Sequence, residues 1–525
     1  MKPLASLIAS HASLCPDGIA FHGDSSAMNW RSYHERSNRL ATALASLDLA
    51  PGDRVAVVLP DGPGVHAAFV GVEKAGFITM GIGPRAGRAE LVHLLRRSGA
   101  RALVSRANYR DLDMARFVSQ AAAEGLALEH HILIEAELED AELIRVDTTP
   151  APQKRTPLTA NSRAVDEPFL LNSTSGTTGM PKCVTHDQAR WMHFHELACE
   201  AGGFTSDDVF MSVIPAPFGF GLWTAHFSPT LLRAPCVVTA NFSADSMIEA
   251  IERHRVTVLA AVSTQFVMML DSPLLERCDL SSLRVLFTGG EAVPYQRAAE
   301  FEERTGASVL QFYGSNETGA LSRTSLSDPR EKRLRTAGRL IDSMNVKLLD
   351  DGGNDTTATG HGQPACKGPL LSRGYWNDDD ANAALYTPDG WMRTGDVATL
   401  DADGFLSIIG RAGDFIIRGG KNISAPAVEQ AVATHPSVHL AAVVAMPDPV
   451  FGEKVCSYIE LRAGAQLTLD DLLRHLRSQD VSKENFPERL VIVDEIPRSS
   501  GGKVAKAALR EDIRARLRDE GIAER

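Results

Sequence analysis

The sequence predicts an α/β protein of two domains, and three observations carry that prediction. From Gly52 onward, short apolar strands alternate with segments of helical period. A chain of 525 residues is too long for one hydrophobic core. Past Asp396 the texture turns to strand and tight turn, and beyond Ala412 a smaller helix–strand alternation begins. The expected architecture is a large N-terminal domain, 1–412, of mostly parallel α/β sheets plus a β-structure, followed by a small α+β domain, 413–525.

The elements follow in order. Pro3 to Ala9 reads as the start of an amphipathic first helix, because the apolar run is too short for a signal segment. Arg54–Leu59 is a strand closed by Pro60-Asp61-Gly62, and Val65–Ala75 is a helix ending at Gly76. Ala102–Val104 and His131–Ile134 are further strands. Such short apolar strands between helices imply parallel sheets covered on both faces. Residues 147–166, rich in Pro, Ser and Thr, read as a surface connection. A second α/β stretch from Asp207 to about Gly338 has its clearest strands at Val256–Leu259 and Leu283–Phe287. Near the end, Ala425–Thr434 is a helix and Ala441–Met446 and Val455–Leu461 are strands. Thr468 caps a helix running to Ser478, and Lys503–Arg518 is a helix with Ala505, Leu509, Ile513 and Leu517 on one face.

Net charge is −12, which argues against general binding to nucleic acid or to an anionic membrane. No apolar run reaches the length of a membrane span. The seven cysteines are scattered without a Cys-x-x-Cys pair, so neither a zinc site nor a disulfide framework is expected, and a reducing cytoplasm fits.

The most informative segment is Ser173-Thr174-Ser175-Gly176-Thr177-Thr178-Gly179-Met180-Pro181-Lys182. It offers five hydroxyls, two glycines and a lysine. Hydroxyls and free N–H groups grip phosphate oxygens, glycine allows close approach, and Lys182 supplies a point charge. A plain Ser/Thr/Gly linker is the competing reading. However, Phe169-Leu170-Leu171 before it and Cys183-Val184-Thr185 after it read as buried strands, which favours a site. The spacing is not that of a Walker loop. Spelled as it stands, the run resembles the phosphate loop of the adenylate-forming enzymes: acyl-CoA synthetases, stand-alone adenylation domains and luciferases.

Further segments match that family in its order, so the resemblance is nearly full length. Phe312-Tyr313-Gly314-Ser315-Asn316-Glu317 is similar to the family's Tyr-Gly-x-Thr-Glu. It implies that Tyr313 stacks on adenine and Glu317 holds Mg²⁺, with Asn316 replacing the usual threonine; alone, this would be a turn with a solvated glutamate. Gly290-Glu291-Ala292 would lie along the adenine edge, and Gly289 near the acid. Asp396, in Trp391-x-x-Thr394-Gly395-Asp396, would bind the ribose diol, and Arg411 would contact nucleotide beside a hinge at Gly413. Gly419-Gly420-Lys421 resembles the loop that lines the CoA pantetheine tunnel once a mobile small domain rotates. Lys503, in Pro497-Arg498-Ser499-Ser500-Gly501-Gly502-Lys503, would be the adenylation lysine, although a lone loop lysine is more often merely solvated.

Pro215 to Trp223 is aromatic and glycine-rich, compatible with plain core packing or with an acid pocket. By resemblance Phe218, Gly219 and Trp223 line that pocket, with Gln265 on another wall. Neither stretch contains lysine or arginine, so an apolar monocarboxylate is expected, with a ring or a short-to-medium chain.

The implied activity is that of an ATP-dependent carboxylate–CoA ligase using ATP, Mg²⁺ and CoA. The alternatives are an adenylating enzyme that loads a carrier protein and a non-catalytic acyl-nucleotide sensor on the same fold. A homodimer is compatible. The Pro497–Lys503 run also resembles sites modified by bacterial protein acetyltransferases, which would remove the Lys503 charge.

Overall fold

The computed structural model describes the chain except residues 25, 135–143, 148–162, 175–179, 291–292, 412–414, 420, 480, 499–503 and 522–525. Lys503, Gly413, Gly420, Ser175 to Gly179, Glu291 and Ala292 therefore lie outside the described residues, as does most of the 147–166 connection.

Two largely parallel sheets dominate. The seven-stranded sheet is built on Arg54–Val58, Ile78–Gly81, Ala102–Ser105, His130–Ile134 and Pro168–Ser173, all parallel, with antiparallel Cys183–Asp187 and Ile144–Asp147 at its edges. The nine-stranded sheet runs Phe210–Ser212, Val258–Ala260, Val285–Gly289 and Ser308–Ser315 side by side in parallel. Between the sheets lie the helices Leu4–Leu14, Trp30–Ala45, Pro63–Lys74 and Gln188–Gly202, whose buried faces join Val55, Val57 and Leu170 of one sheet to Phe210, Phe287 and Leu310 of the other in one core. Helices on the outer faces complete the two-sided burial that parallel sheets require.

A five-stranded antiparallel sheet follows, from Asn345–Leu349 to Leu406–Arg411. A separate β-rich C-terminal domain then forms around Phe415–Arg418, Lys421–Ser424, Val438–Asp448, Gly452–Leu461 and Arg489–Ile492, with its own two cores. It touches the large domain at Asp271, the last residue of the helix Ser263–Asp271. The Asp271 carboxylate meets Arg462 Nη1 at 3.0 Å and His439 Nδ1 at 3.1 Å, beside Arg297 Nη2 at 2.6 Å. Against the opposing effect of burial, the hydrogen bond from His439 and the charge and hydrogen bonds of Arg297 and Arg462 hold Asp271 well below the usual carboxylate range.

Local expectations fare well where the chemistry is local. Thr468 accepts the Asp471 N–H and starts the helix Leu469–Ser478. Gly76 takes φ 83° just past the helix Pro63–Lys74. Two corrections stand out. The last helix begins at Lys506 and not Lys503, so Ala505 is its cap, while Leu509, Ile513 and Leu517 share the buried face. The segment read as a turn around Tyr313 is in fact the end of a strand, Ser308–Ser315, inside the nine-stranded sheet, where Phe312 pairs with Gly289 and Arg323 and Tyr313 with Ser322. None of the seven cysteines forms a disulfide, and no helix among the described residues is long and apolar enough to cross a membrane.

Candidate active site

The site grows from the carboxyl ends of the parallel strands, where an α/β sheet leaves room for a ligand. The hairpin Pro168–Ser173/Cys183–Asp187 carries the hydroxyl loop. Its neck is closed by the Thr174 N–H donating to the Lys182 carbonyl at 3.0 Å and the Lys182 N–H donating to Thr174 Oγ1 at 3.2 Å. The Lys182 ammonium lies 4.7 Å from the ring centre of Tyr375, whose hydroxyl donates to Glu317 Oε1 at 2.8 Å. Burial, reinforced by the Glu317 charge, keeps the Tyr375 phenol protonated. A cation, an aromatic face and a carboxylate thus stand in sequence at the neck of that hairpin.

Glu317 is held by its turn. Ser315 Oγ accepts the Glu317 N–H at 3.1 Å, Thr318 Oγ1 accepts the Ser315 N–H at 2.9 Å, and the Ser372 N–H donates to the Glu317 carbonyl at 2.7 Å. Gly314 is compulsory here, because a Cβ would sit 1.6 Å from the Gly319 carbonyl oxygen.

Tyr313 projects from the strand end, and its hydroxyl donates to Asp396 Oδ2 at 2.7 Å. Burial, then the Asp396 charge, raises the Tyr313 phenol well above its ordinary range. The other Asp396 oxygen lies 3.3 Å from Arg411 Nε. Asp396 and Arg411 are directly paired across neighbouring strands, which explains why residues fifteen apart meet. On the adjacent strand Gly289 is opposite Phe312, and a Cβ at Gly289 would lie 2.6 Å from the Phe312 carbonyl oxygen. Thr288 Oγ1, buried at the end of that strand, has no partner among the described residues. An orphaned hydroxyl and a glycine cradle beside Tyr313 and Asp396 fit a purine nucleoside. Among the described residues no group of three or more His, Cys, Asp or Glu converges. Glu317 would offer one carboxylate oxygen to a magnesium ion, which ordinarily keeps phosphate and water as its other ligands.

The aromatic segment forms a short helix, Gly219–Gly221, running into a π-helix, Leu222–Phe227. Phe218 immediately precedes it and is 9% exposed. Trp223 is 3% exposed and packs against Phe194, Phe287 and Phe312 at centroid distances of 4.9, 5.3 and 5.6 Å, so it belongs to the core as well as to any wall. The Gln265 amide is engaged with the Val262 N–H and the Val213 carbonyl, both at 3.0 Å, which fixes it against the base of the same segment. Asn316, expected near phosphate, turns its amide toward protein: Oδ1 accepts the Gly219 N–H at 3.1 Å and Nδ2 donates to the Ser173 carbonyl at 3.4 Å.

Asp61 supplies another anchor, accepting the Ala216 N–H at 2.8 Å. Burial raises its carboxyl to about 7, and the Ala216 N–H and the Arg85 charge only partly oppose this. Because the folded value lies above the ordinary ~3.9, folding takes up a proton between those values. The associated stability is complete below pH ~4 and lost as pH rises through about 7. Asp61→Asn, which keeps an acceptor for Ala216, is therefore expected to leave Tm nearly unchanged at about pH 4 and to raise it at about pH 8. Thermal melts at the two pH values check this.

In the small domain Gly419 takes φ 58° and its N–H donates to the Phe451 carbonyl at 2.8 Å, while Lys421 pairs with Glu484. Arg498 bridges to Val504 on either side of the Lys503 segment. The sequence did not reveal Tyr375, Asp61, Asn172, His186 or Arg190. Only Arg190 carried a local signal, a charge on the apolar side of a helix containing Trp191, Phe194 and Leu197.

The described fold, two largely parallel sheets followed by a separate β-rich domain, is that of a nucleotide-binding enzyme. The chain belongs to the AMP-binding enzymes, matching that family over residues 8–376 and the AMP-binding enzyme C-terminal domain over 427–503. It is 29% identical over 519 residues to the medium-chain fatty-acid–CoA ligase of Escherichia coli (strain K12), covering 96% of this chain and 89% of that protein. It is 29% identical over 513 residues to the 2,3-dihydroxybenzoate-AMP ligase of Bacillus subtilis (strain 168), covering 97% and 94%. The solved structure of the anthranilate CoA ligase AuaEII in complex with anthranoyl-AMP shares the fold, with TM-score 0.86, 23% identity, and 98% and 97% of the two chains covered.

Proposed function

We propose that this protein is an AMP-forming acid–thiol ligase that activates an apolar carboxylic acid and transfers the acyl group to CoA. The observation that carries the reading is the meeting, at one sheet end, of Tyr313–Asp396–Arg411 and Lys182–Tyr375–Glu317 beside an aromatic, glycine-rich loop without Lys or Arg.

In the first step the substrate carboxylate oxygen attacks the α-phosphorus of ATP. The bond to the β-phosphate oxygen breaks and pyrophosphate leaves with the electron pair. Lys182 and the hydroxyl loop hold the β- and γ-phosphates, Tyr313 stacks on adenine, and Asp396 accepts from the ribose hydroxyls. Glu317 would hold Mg²⁺, which would supply positive charge to offset that of the phosphates. Lys503 offsets the charge that builds on the α-phosphate and the carboxylate, an effect worth most where the donor is preorganised. The small domain then turns about Gly413, and Gly419-Gly420-Lys421 replaces Lys503 at the site. The thiol of CoA attacks the acyl carbonyl carbon, the bond to AMP breaks, and the thiol proton passes to solvent. Both steps rest on positioning and charge, without a protein nucleophile.

A panel of benzoate, salicylate, hexanoate and octanoate, assayed for CoA-dependent AMP release, tests the reading; AMP release on none of them with free CoA would count against it. Exposed Ile417, Val450 and Phe451, at 53%, 79% and 48%, surround the Gly419 turn and favour a second reading in which a carrier protein presents the thiol. Turnover with a phosphopantetheinylated carrier and none with free CoA would select it.

Phe218→Ala is expected to change the rank order of accepted acids, with the KM for ATP staying within about threefold. Steady-state kinetics on the panel checks this; lower stability with an unchanged profile would assign Phe218 to the core alone.

A further inference from the structure

The helix Gln188–Gly202 buries an arginine that pairs with no carboxylate among the described residues. Arg190 is 2% exposed; its Nε and Nη1 serve neutral groups, and its buried Nη2 has no hydrogen-bond partner among the described residues. Nε donates to the Leu370 carbonyl at 2.9 Å. Nη1 donates to the Asn316 carbonyl at 2.9 Å and meets His186 Nδ1 at 2.6 Å. A cation buried at this cost and spent on carbonyls and an imidazole calls for an explanation.

The hydrogen-bond directions supply it. Arginine only donates. His186 Nδ1 must therefore accept, which leaves its proton on Nε2. Nε2 lies 2.8 Å from Asn172 Oδ1 and donates to it. This fixes the Asn172 amide the other way round, so that Nδ2 donates to the Pro217 carbonyl at 2.9 Å. That is one arm. The second arm runs from Nη1 to the Asn316 carbonyl, and the Asn316 side chain accepts the Gly219 N–H at 3.1 Å. The two arms end on the peptide groups either side of Phe218. Asn172 and His186 are fully buried, so no water competes for these directions. Gly219 is fitted to its partner: a Cβ there would lie 2.3 Å from Asn316 Oδ1.

We propose that Arg190 is a positioning residue for the acid pocket, orienting through one guanidinium nitrogen the two amides, Asn172 and Asn316, that clamp the backbone on both sides of Phe218. The proposal rests on the reading of Phe218 as a wall of that pocket. Specificity would thus be set partly by a residue that touches no substrate, since the angle of the Phe218 ring follows its flanking peptides. The same guanidinium steadies the Asn316–Glu317 turn, which ties the acid side of the site to the magnesium side.

The test uses the full-length enzyme and whichever acid of the benzoate-to-octanoate panel it turns over fastest. Asn172→Leu cuts the Pro217 arm and the longer 3.5 Å contact from Asn172 Nδ2 to Asn316 Oδ1, and leaves the Arg190 bond to the Asn316 carbonyl in place. It is expected to raise the KM for the acid about tenfold, the size of one lost buried hydrogen bond, with the KM for ATP within about twofold. Arg190→Met cuts both arms and should shift the acid KM further. A parallel rise in both KM values, or a lower Tm with unchanged kinetics, overturns the proposal in favour of a purely structural role. Phe218→Ala is measured alongside. If it leaves the acid profile alone, the pocket reading falls and takes the proposal with it. If it moves the profile while Asn172→Leu does not, only the proposal falls. A measurement on the unmodified protein decides the matter should the buried variants not fold. In ¹⁵N spectra of histidine-labelled enzyme, with the His186 signal assigned by its loss in His186→Gln, the ring is expected neutral with the proton on Nε2. A cationic ring, or a proton on Nδ1, breaks the second link and overturns the proposal.

Discussion

Lys503→Ala is expected to lower the adenylation half-reaction by about 10²–10³-fold, as loss of a preorganised transition-state charge does. Thioester formation from synthetic acyl-AMP should stay within a few-fold of wild type. The two half-reactions differ because Lys503 offsets the charge developing at the α-phosphate, which exists only in the first. Pyrophosphate exchange reports the first step, and CoA consumption from supplied acyl-AMP the second. Equal losses in both would remove Lys503 from the assigned role. The same pair of assays reads the effect of acetylation: incubation with a bacterial protein acetyltransferase and acetyl-CoA should modify Lys503 and reproduce the pattern of the alanine variant.

Asp396→Asn is expected to raise the KM for ATP by about 10–100-fold and to leave the KM for the acid nearly unchanged. The carboxylate has two occupied oxygens, one taking the Tyr313 hydroxyl at 2.7 Å and the other 3.3 Å from Arg411. Asparagine can still accept from Tyr313, so the buried phenol keeps a partner and the fold survives. What it cannot do is present two acceptor oxygens to a ribose diol while holding Arg411 by charge. Separate saturation curves for ATP and acid check the asymmetry. A change confined to the acid would place Asp396 elsewhere in the site.

Much of this arrangement was legible in the chain, and the remainder was not, for identifiable reasons. The parallel sheets announced themselves through strands such as Val55–Val58, apolar at consecutive positions because both faces are covered. Tyr313 and Asp396 could be singled out because each sits in a short motif whose residues are neighbours in sequence, and the structure joins them by a hydrogen bond. Tyr375, Asn172 and Asp61 were not, since their roles depend on contacts across 58, 45 and 155 residues. Asn316 shows the same limit at one position. Its side-chain chemistry allows a phosphate contact, and only the approach of Gly219 from 97 residues away turns it toward the acid loop.

The crowding around Phe218 also constrains how this enzyme could be re-engineered. Position 219 admits no side chain beside Asn316, and at 221 a Cβ would lie 2.3 Å from the Pro215 carbonyl oxygen, so neither can be varied to reshape the pocket. Behind the ring the situation differs. A Cβ added at Gly83 would lie 2.9 Å from Phe218 Cζ, the free end of a rotatable side chain and not backbone. Gly83→Ala would tilt the ring by tenths of an ångström without touching either amide clamp. A library aimed at new acids would accordingly pair small changes at 83 with substitutions at 218 and leave both glycines of the loop alone. That leaves evolution, like the engineer, two adjustable positions facing each other across one aromatic ring.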